Sequence, residues 1–289
     1  MNVTPTRRET AIETSDGWEL GGNFFEPSGP VEQAILIAPA TGVRQHLYFA
    51  FAEELAARGC AVLTFDNRGI GESRGDRHLS KVSVQKQDWG QLDMPAALDR
   101  LDAIVPDVPL MLVGHSSGGQ LVGLMPNVGK LSRIAQVACS SGHIRNISGM
   151  TKPFAWAVLK GYIPLTTALF GYAPIRALGW GEDLPTGVAM QWSKWCSNPG
   201  YVANSFGDTI DRHYYADITC PLLNLRAVDD PIATHENVEE LLELFSNAQI
   251  ERKVMYPNDY GLAEIGHIDF FRSRCRAAWT RLIEWLSAT

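Results

Sequence analysis

The stretch Pro109–Gly119, PLMLVGHSSGG, decides how this chain folds. An apolar run of strand length leads into Gly114–Gly118, which fits the pattern Gly-x-Ser-x-Gly. A sharp turn from a strand into a helix strains its central residue and lifts that side chain out of the sheet, and it requires small flanking residues. Taken alone, the glycines could merely serve a tight turn. With a strand before it and a helix start after it, the motif predicts that Ser116 is a nucleophile and that the Ser117 N–H belongs to an oxyanion hole.

On both sides of this motif, short apolar strands alternate with amphipathic segments. This alternation predicts an α/β fold with a mainly parallel, doubly wound sheet. The predicted strands are Gln33–Ala38, Cys60–Phe65, Pro109–Val113, Ile134–Ser140, Pro221–Val228 and Ile250–Tyr256, and the predicted helices are Leu47–Arg58, Leu92–Ile104, Gly118–Pro126, Val238–Phe245 and Phe270–Leu286. A hairpin of Glu9–Thr14 and Trp18–Phe25 around Asp16-Gly17 adds an antiparallel edge.

Residues 143–207 interrupt this rhythm, because they contain no clear strand. We therefore expect an α/β core from residues 1–142 and 208–289, with 143–207 inserted as a helical cap over the carboxyl edge of the sheet. Its apolar side chains predict an enclosed apolar pocket, although most of them are also expected to pack the cap itself. They are Phe154, Trp156, Leu159, Tyr162, Leu165, Leu169, Phe170, Trp180, Trp192 and Trp195.

A serine nucleophile needs a base, and the chain offers seven histidines. His267 lies beside Gly266 between the last strand and the last helix, so it is the first choice, and His143, which also follows a strand, is the second. The side chain of His115 is expected to point away from the reactive face. The others are expected to be surface or packing residues: His46, His78, His213 and His235.

The orienting acid is predicted from Asp229-Asp230-Pro231, just past a strand. Pro231 favours an extended conformation for the residue before it, which would fix the direction of Asp230. Asp229 is expected to be a solvated turn carboxylate, although it remains the alternative acid. The order serine, aspartate, histidine is the one that accompanies a nucleophile elbow.

A second oxyanion donor is expected from the loop after the strand Gln33–Ala38. Pro39 has no N–H and cannot donate, so Ala40 is the predicted donor.

Together, GHSSGG, DNRGIGESRG, DDP and GHIDFF resemble the α/β-hydrolase superfamily from about Gln33 to the C-terminus, the cap excepted. The loop Pro-Ala-Thr-Gly at 39–42 and the segment GWGEDLPTGVAMQWSKWC are similar to a group of bacterial hydrolases. In the superfamily a His-Gly pair usually fills positions 38–39, where this chain has Ala38-Pro39. This departure from the pattern concerns the oxyanion loop. The resemblance implies triad roles for Ser116, Asp230 and His267, and no particular substrate.

The sequence therefore predicts a serine hydrolase of a small, apolar ester, thioester or related acyl substrate, acting through an acyl-enzyme on Ser116. An acyltransferase using the same acyl-enzyme is the first alternative, and a non-catalytic binding protein on a hydrolase scaffold is the second.

Composition limits the partners and cofactors. A net charge of −7 without a basic cluster argues against nucleic acid, and no apolar stretch is long enough to cross a membrane. Gly69-Ile70-Gly71 lacks the third glycine of a dinucleotide motif, and no phosphate-loop or zinc-protease motif occurs, so no cofactor or metal is expected. Five scattered cysteines and a polar N-terminus predict reduced thiols and a cytoplasmic location. A homo-oligomer remains open.

Overall fold

The computed structural model describes residues 5–288, and its centre is an eight-stranded sheet. The strands of the chain are β1 (Thr6–Glu13), β2 (Glu19–Glu26), β3 (Gln33–Ala38), β4 (Cys60–Phe65), β5 (Leu110–His115), β6 (Leu131–Val137), β7 (Tyr172–Ala173), β8 (Leu184–Pro185), β9 (Pro221–Ala227) and β10 (Gln249–Met255). The sheet order is β1-β2-β4-β3-β5-β6-β9-β10. The last six of these are parallel, while the β1–β2 hairpin joins β4 in antiparallel pairing. The predicted fold class and its antiparallel edge are confirmed.

Helices cover both faces of this sheet. The helices of the chain are α1 (Phe49–Ala56), α2 (Lys86–Asp88), α3 (Met94–Ile104), α4 (Ser117–Gln120), α5 (Thr151–Ala157), α6 (Ile163–Phe170), α7 (Thr186–Ser197), α8 (His235–Leu242) and α9 (Arg276–Ser287), of which α5, α6 and α7 lie in residues 143–207. In β3, Ile35 and Ile37 belong to the buried cluster that includes α1 and α9, whereas Leu36 belongs to the cluster that includes α3 and α8. Alternate residues of a strand point to opposite faces, so a doubly covered strand is apolar throughout.

Several helix bounds differ from the predicted ones. A π-helical turn, Trp89–Asp93, joins α2 to α3, so this helix starts six residues before the predicted Leu92.

The helix after Ser116 ends within one turn, at Gln120, and not at the predicted Pro126. The hydroxyl of Tyr215 donates to the carbonyl of Gln120, and the N–H of Tyr214 donates to that of Gly123. These two carbonyls therefore accept hydrogen bonds from residues 214 and 215 and not from the next helical turn, and no sequence periodicity reveals these long-range bonds.

Residues 143–207 lie between β6 and β9 and contain α5, α6 and α7. They also contain the two-residue strands β7 and β8, which the sequence did not indicate. Leu159 and Trp195 are buried, but several of the predicted packing side chains are exposed: Phe154, Trp156, Leu165, Leu169 and Phe170.

Across residues 5–288, no helix combines the length and the apolar character needed to span a bilayer.

Candidate active site

Ser116 sits at a sharp turn between β5 and α4. Its backbone has φ 47° and ψ −111°, a region that side-chain-bearing residues rarely adopt. The turn leaves no room beside it, because a Cβ on Gly114 would lie 2.3 Å from the nitrogen of Gly119 and one on Gly118 would lie 2.1 Å from the carbonyl oxygen of Ala38. The glycines of the motif are therefore required by close backbone approach, as predicted.

The structure brings together the three residues proposed from the sequence as a triad. His267 Nδ1 lies 2.7 Å from Oδ2 of Asp230, and His267 Nε2 lies 3.1 Å from Oγ of Ser116. A carboxylate can only accept, so Nδ1 carries the proton and Nε2 accepts a hydrogen bond from the serine hydroxyl. This is the arrangement in which a histidine can remove the proton of a serine.

The carboxyl group of Asp230 is completely buried and fully bonded. Its Oδ1 accepts from the N–H groups of Ile232 and Ala233, while Oδ2 faces His267. Burial would raise the pKa of Asp230, but attraction to His267 and these hydrogen bonds outweigh it and hold the pKa below its ordinary value. Asp230 is therefore ionised, and its carboxylate is held in the direction of the His267 ring.

Asp229 lies in a turn and is exposed, as expected, and its Oδ2 also accepts from the N–H groups of Ile265 and Gly266, at 2.9 and 3.2 Å. These residues directly precede His267. Asp229 thus ties down the loop that carries the histidine while its neighbour Asp230 contacts the ring.

The ring of His115 lies behind the site, away from Ser116. Its Nε2 is 2.9 Å from the carbonyl oxygen of His267, and its Nδ1 is 2.9 Å from the hydroxyl of Tyr48. Because a carbonyl only accepts, Nε2 carries the proton and Nδ1 accepts from Tyr48. Burial, together with the nearby His267, lowers the pKa of His115 to about 3, so the ring is neutral. The expectation that His115 points away from the nucleophile agrees with these contacts.

The structure contradicts Ala40 as the second oxyanion donor. Its N–H donates to the hydroxyl of Tyr48 at 2.9 Å and is therefore already bonded within the core. The next residue, Thr41, lines the cavity beside Ser116. Within residues 5–288, the N–H groups of Thr41 and Ser117 have no hydrogen-bond partner. The sequence does not reveal that the hydroxyl of Tyr48 lies next to this loop and accepts the hydrogen bond of the Ala40 N–H.

The remaining histidines stay apart from Ser116. His143, the second choice for the base, lies 3.7 Å from Glu240 instead. His213 stacks on Phe206 and is exposed, as are His78 and His235. His46 is exposed at the edge of the cavity.

A cavity of about 980 Å³ opens directly over Ser116 and His267. Its apolar lining comes from the core and from residues 143–207: Leu47, Ile147, Ala155, Leu159, Trp180, Trp192 and Phe271. Four arginines of the lining are exposed, namely Arg44, Arg176, Arg272 and Arg274, and Arg44 pairs with Glu182, which also lines the cavity. The interior is therefore largely apolar, while the exposed charges mark where it meets solvent.

Comparisons with known proteins identify the family to which this chain belongs. The model of the alpha/beta hydrolase family matches residues 35–274. Monoglyceride lipase of Mus musculus is 31% identical over 111 residues, which are 38% of this chain and 35% of that protein. A quorum-quenching protein of Acinetobacter baumannii is 26% identical over 186 residues, 60% of each chain. The matched stretches thus span about a third to three fifths of the curated relatives.

Among solved structures, a soluble variant of monoglyceride lipase from Saccharomyces cerevisiae, bound to a substrate analogue, aligns with a TM-score of 0.68 at 16% identity. The alignment covers 99% of this chain and 96% of that one. At this identity the likeness concerns the fold alone. Because the family model covers most of the sequence, this chain belongs to the alpha/beta hydrolase family.

Proposed function

We propose that this protein hydrolyses an ester, thioester or related acyl bond of a small, largely apolar substrate through an acyl-enzyme on Ser116. The observation that carries the proposal is the hydrogen-bonded chain from Asp230 through His267 to Ser116. It ends on a strained serine that faces a cavity. Strained residues cluster at active sites, where the surrounding structure must hold them in place.

The proposed reaction has two halves. The Ser116 oxygen attacks the acyl carbonyl while His267 Nε2 takes its proton, and Asp230 stabilises the resulting imidazolium. His267 then gives this proton to the leaving group. Water next attacks the acyl-enzyme with His267 again as base, which releases the acid and restores the serine. In both halves, the N–H of Ser117 at the start of α4 faces the developing oxyanion.

The substrate class follows from the cavity and from the relatives. We infer that residues 143–207 act as a cap, since Leu159, Trp180 and Trp192 lie in the wall above Ser116. Largely apolar walls with a few polar groups are typical of small-molecule sites. The mouse relative is named a monoglyceride lipase, which supports an ester substrate with an apolar acyl chain.

The test is covalent labelling by a fluorophosphonate probe, read by intact mass. We expect stoichiometric labelling of the wild type, none of Ser116→Ala, and wild-type labelling of Ser83→Ala, which replaces an exposed serine outside the cavity. Ester turnover by Ser116→Ala should fall to near background, leaving about 10³-fold residual catalysis over water. Full labelling of Ser116→Ala would refute the assignment of the nucleophile.

A further inference from the structure

Lys86, at the start of α2, is completely buried. Its ammonium donates a short hydrogen bond to Oγ1 of Thr41 and lies 4.8 Å from the centre of the Trp89 ring. Throughout the described range 5–288, no carboxylate lies within ion-pair distance of it. The titratable side chain that acts on its charge is Cys196 of α7, which lines the cavity.

A buried ammonium without a carboxylate is costly for a folded protein. Burial lowers the pKa of Lys86 to about 7, although the nearby Cys196 thiol acts in the opposite direction. A single hydroxyl acceptor and an aromatic ring compensate only part of the lost hydration. Groups that cost stability in this way are retained where a function depends on them.

The partner of Lys86 lies at the proposed site of chemistry. Thr41 follows Ala40 in the loop after β3, and both line the cavity with Ser116. The same loop packs on the nucleophile turn, because the Ser117 hydroxyl lies 3.3 Å from the carbonyl oxygen of Pro39. Thr41 is partly exposed, so its side chain has access to the cavity.

The direction of the Thr41 proton follows from hydrogen-bond chemistry. An ammonium has three donors and no acceptor, so Oγ1 of Thr41 must accept from Lys86. The hydroxyl proton of Thr41 therefore points elsewhere, and no group in the described part of the chain accepts it. The open direction is the cavity.

We propose that the Thr41 hydroxyl donates to the oxyanion of the tetrahedral intermediate, and that Lys86 is a positioning residue that orients and polarises this hydroxyl from behind the loop. This inference rests on the proposed acyl-enzyme mechanism. It supplies a side-chain donor in the loop where the Ala40 N–H is taken. A neutral Lys86 would instead accept the Thr41 proton and withdraw it from the site, so the protonated form is the active one.

The first test changes only the hydroxyl. Thr41→Val keeps the shape of the side chain and removes its donor, so we expect kcat for a simple ester to fall about 10²-fold, the size of effect known for a lost oxyanion donor. KM should change by less than about threefold, since the bond forms only in the transition state. Thr41→Ser should recover most of the loss. Equal kcat values for wild type and Thr41→Val would overturn the proposal.

The second test asks whether Lys86 acts through Thr41. Lys86→Met should lower kcat by a similar factor yet raise the melting temperature, because it removes a buried charge. The double variant Lys86→Met/Thr41→Val should be no slower than either single variant, since both remove one interaction. Multiplied losses in the double variant, or a lower melting temperature with unchanged kcat in Lys86→Met, would show a purely structural lysine.

The third test uses pH. In wild type, kcat should decline above about pH 7 as Lys86 loses its proton, and Lys86→Arg should shift this decline to higher pH because arginine stays charged. Identical pH profiles of wild type and Lys86→Arg would contradict the proposal.

Labelling of wild type by the fluorophosphonate separates this inference from the proposed acyl-enzyme function. Its absence would end the proposed function, whereas labelling and turnover that Thr41→Val leaves intact would end this inference alone.

Discussion

Nε2 of His115 donates a hydrogen bond of 2.9 Å to the main-chain carbonyl of His267, so the histidine directly before Ser116 holds the backbone of His267. The same ring accepts from Tyr48, whose hydroxyl in turn accepts from the N–H of Ala40. One buried chain of hydrogen bonds therefore joins the loop after β3 to the loop that carries His267. The relative position of these two loops is set inside the core.

The neutral His115 ring in this series of hydrogen bonds predicts that the free energy of unfolding depends on pH. The pKa of His115 drops from its ordinary 6.5 to about 3 on folding, so below pH 6.5 the unfolded state binds a proton that the folded state refuses. The stability due to the neutral ring is complete above pH 6.5 and is lost progressively as pH falls towards 3.

His115→Gln removes this titration but can still donate to His267 and accept from Tyr48. Between pH 7 and pH 5, wild type should lose about 2 kcal/mol more unfolding free energy than the variant, measured by urea denaturation. Parallel losses in the two proteins would show that His115 is protonated in the folded state.

The two neighbouring aspartates should differ in their effect on turnover. Asp230→Asn removes the carboxylate that fixes the tautomer of His267, so kcat should fall about 10³- to 10⁴-fold. Asp229→Asn keeps an oxygen that accepts from Ile265 and Gly266, so its loss should stay below about tenfold. Steady-state kinetics on one ester, with circular dichroism to check folding, makes the comparison. A larger loss for Asp229→Asn would reverse the assignment of the acid.

The contact between the nucleophile turn and the loop after β3 predicts a severe effect of one methyl group. In Gly118→Ala the new Cβ would lie 2.1 Å from the main-chain oxygen of Ala38, which cannot move without disturbing β3. We expect a loss of more than about 4 kcal/mol in unfolding free energy, or no soluble protein. Gly129→Ala is the control. Its Cβ meets nothing within 4 Å, so it should stay within about 0.5 kcal/mol of wild type.

Local patterns predicted the strands and the sharp turn that carries Ser116, because both depend on nearby residues. The bounds of β3 and β4 agree to the residue, since apolar runs between turn signals define them. The Ala40 prediction was wrong because the direction of its N–H depends on the hydroxyl of Tyr48 in the core. Lys86, in the polar stretch Val84–Asp88, resembles a surface lysine by sequence. Its burial depends on contact between α2 and α7, about 100 residues apart in the chain.

The composition of residues 143–207 predicted an apolar lid, and the structure divides its side chains into two sets. Leu159 is buried and lines the cavity, whereas Leu165, one helix further along, is 60% exposed and contacts solvent. The same substitution at these two positions can therefore separate an effect on the cavity from an effect on the surface of residues 143–207.

Acyl-chain length should reveal the shape of the cavity. Each methylene that enters it contributes about 0.8 kcal/mol, so kcat/KM for wild type should rise up to about fourfold per added methylene until the cavity is filled. Leu159→Trp narrows the cavity and should move the optimum to shorter chains, while Leu165→Trp should leave it in place. Kinetics on p-nitrophenyl esters from acetate to laurate, with equal melting temperatures required of both variants, makes the measurement. If Leu159→Trp kept the wild-type optimum, or if wild type preferred charged acyl groups, the acyl chain would not lie against this wall.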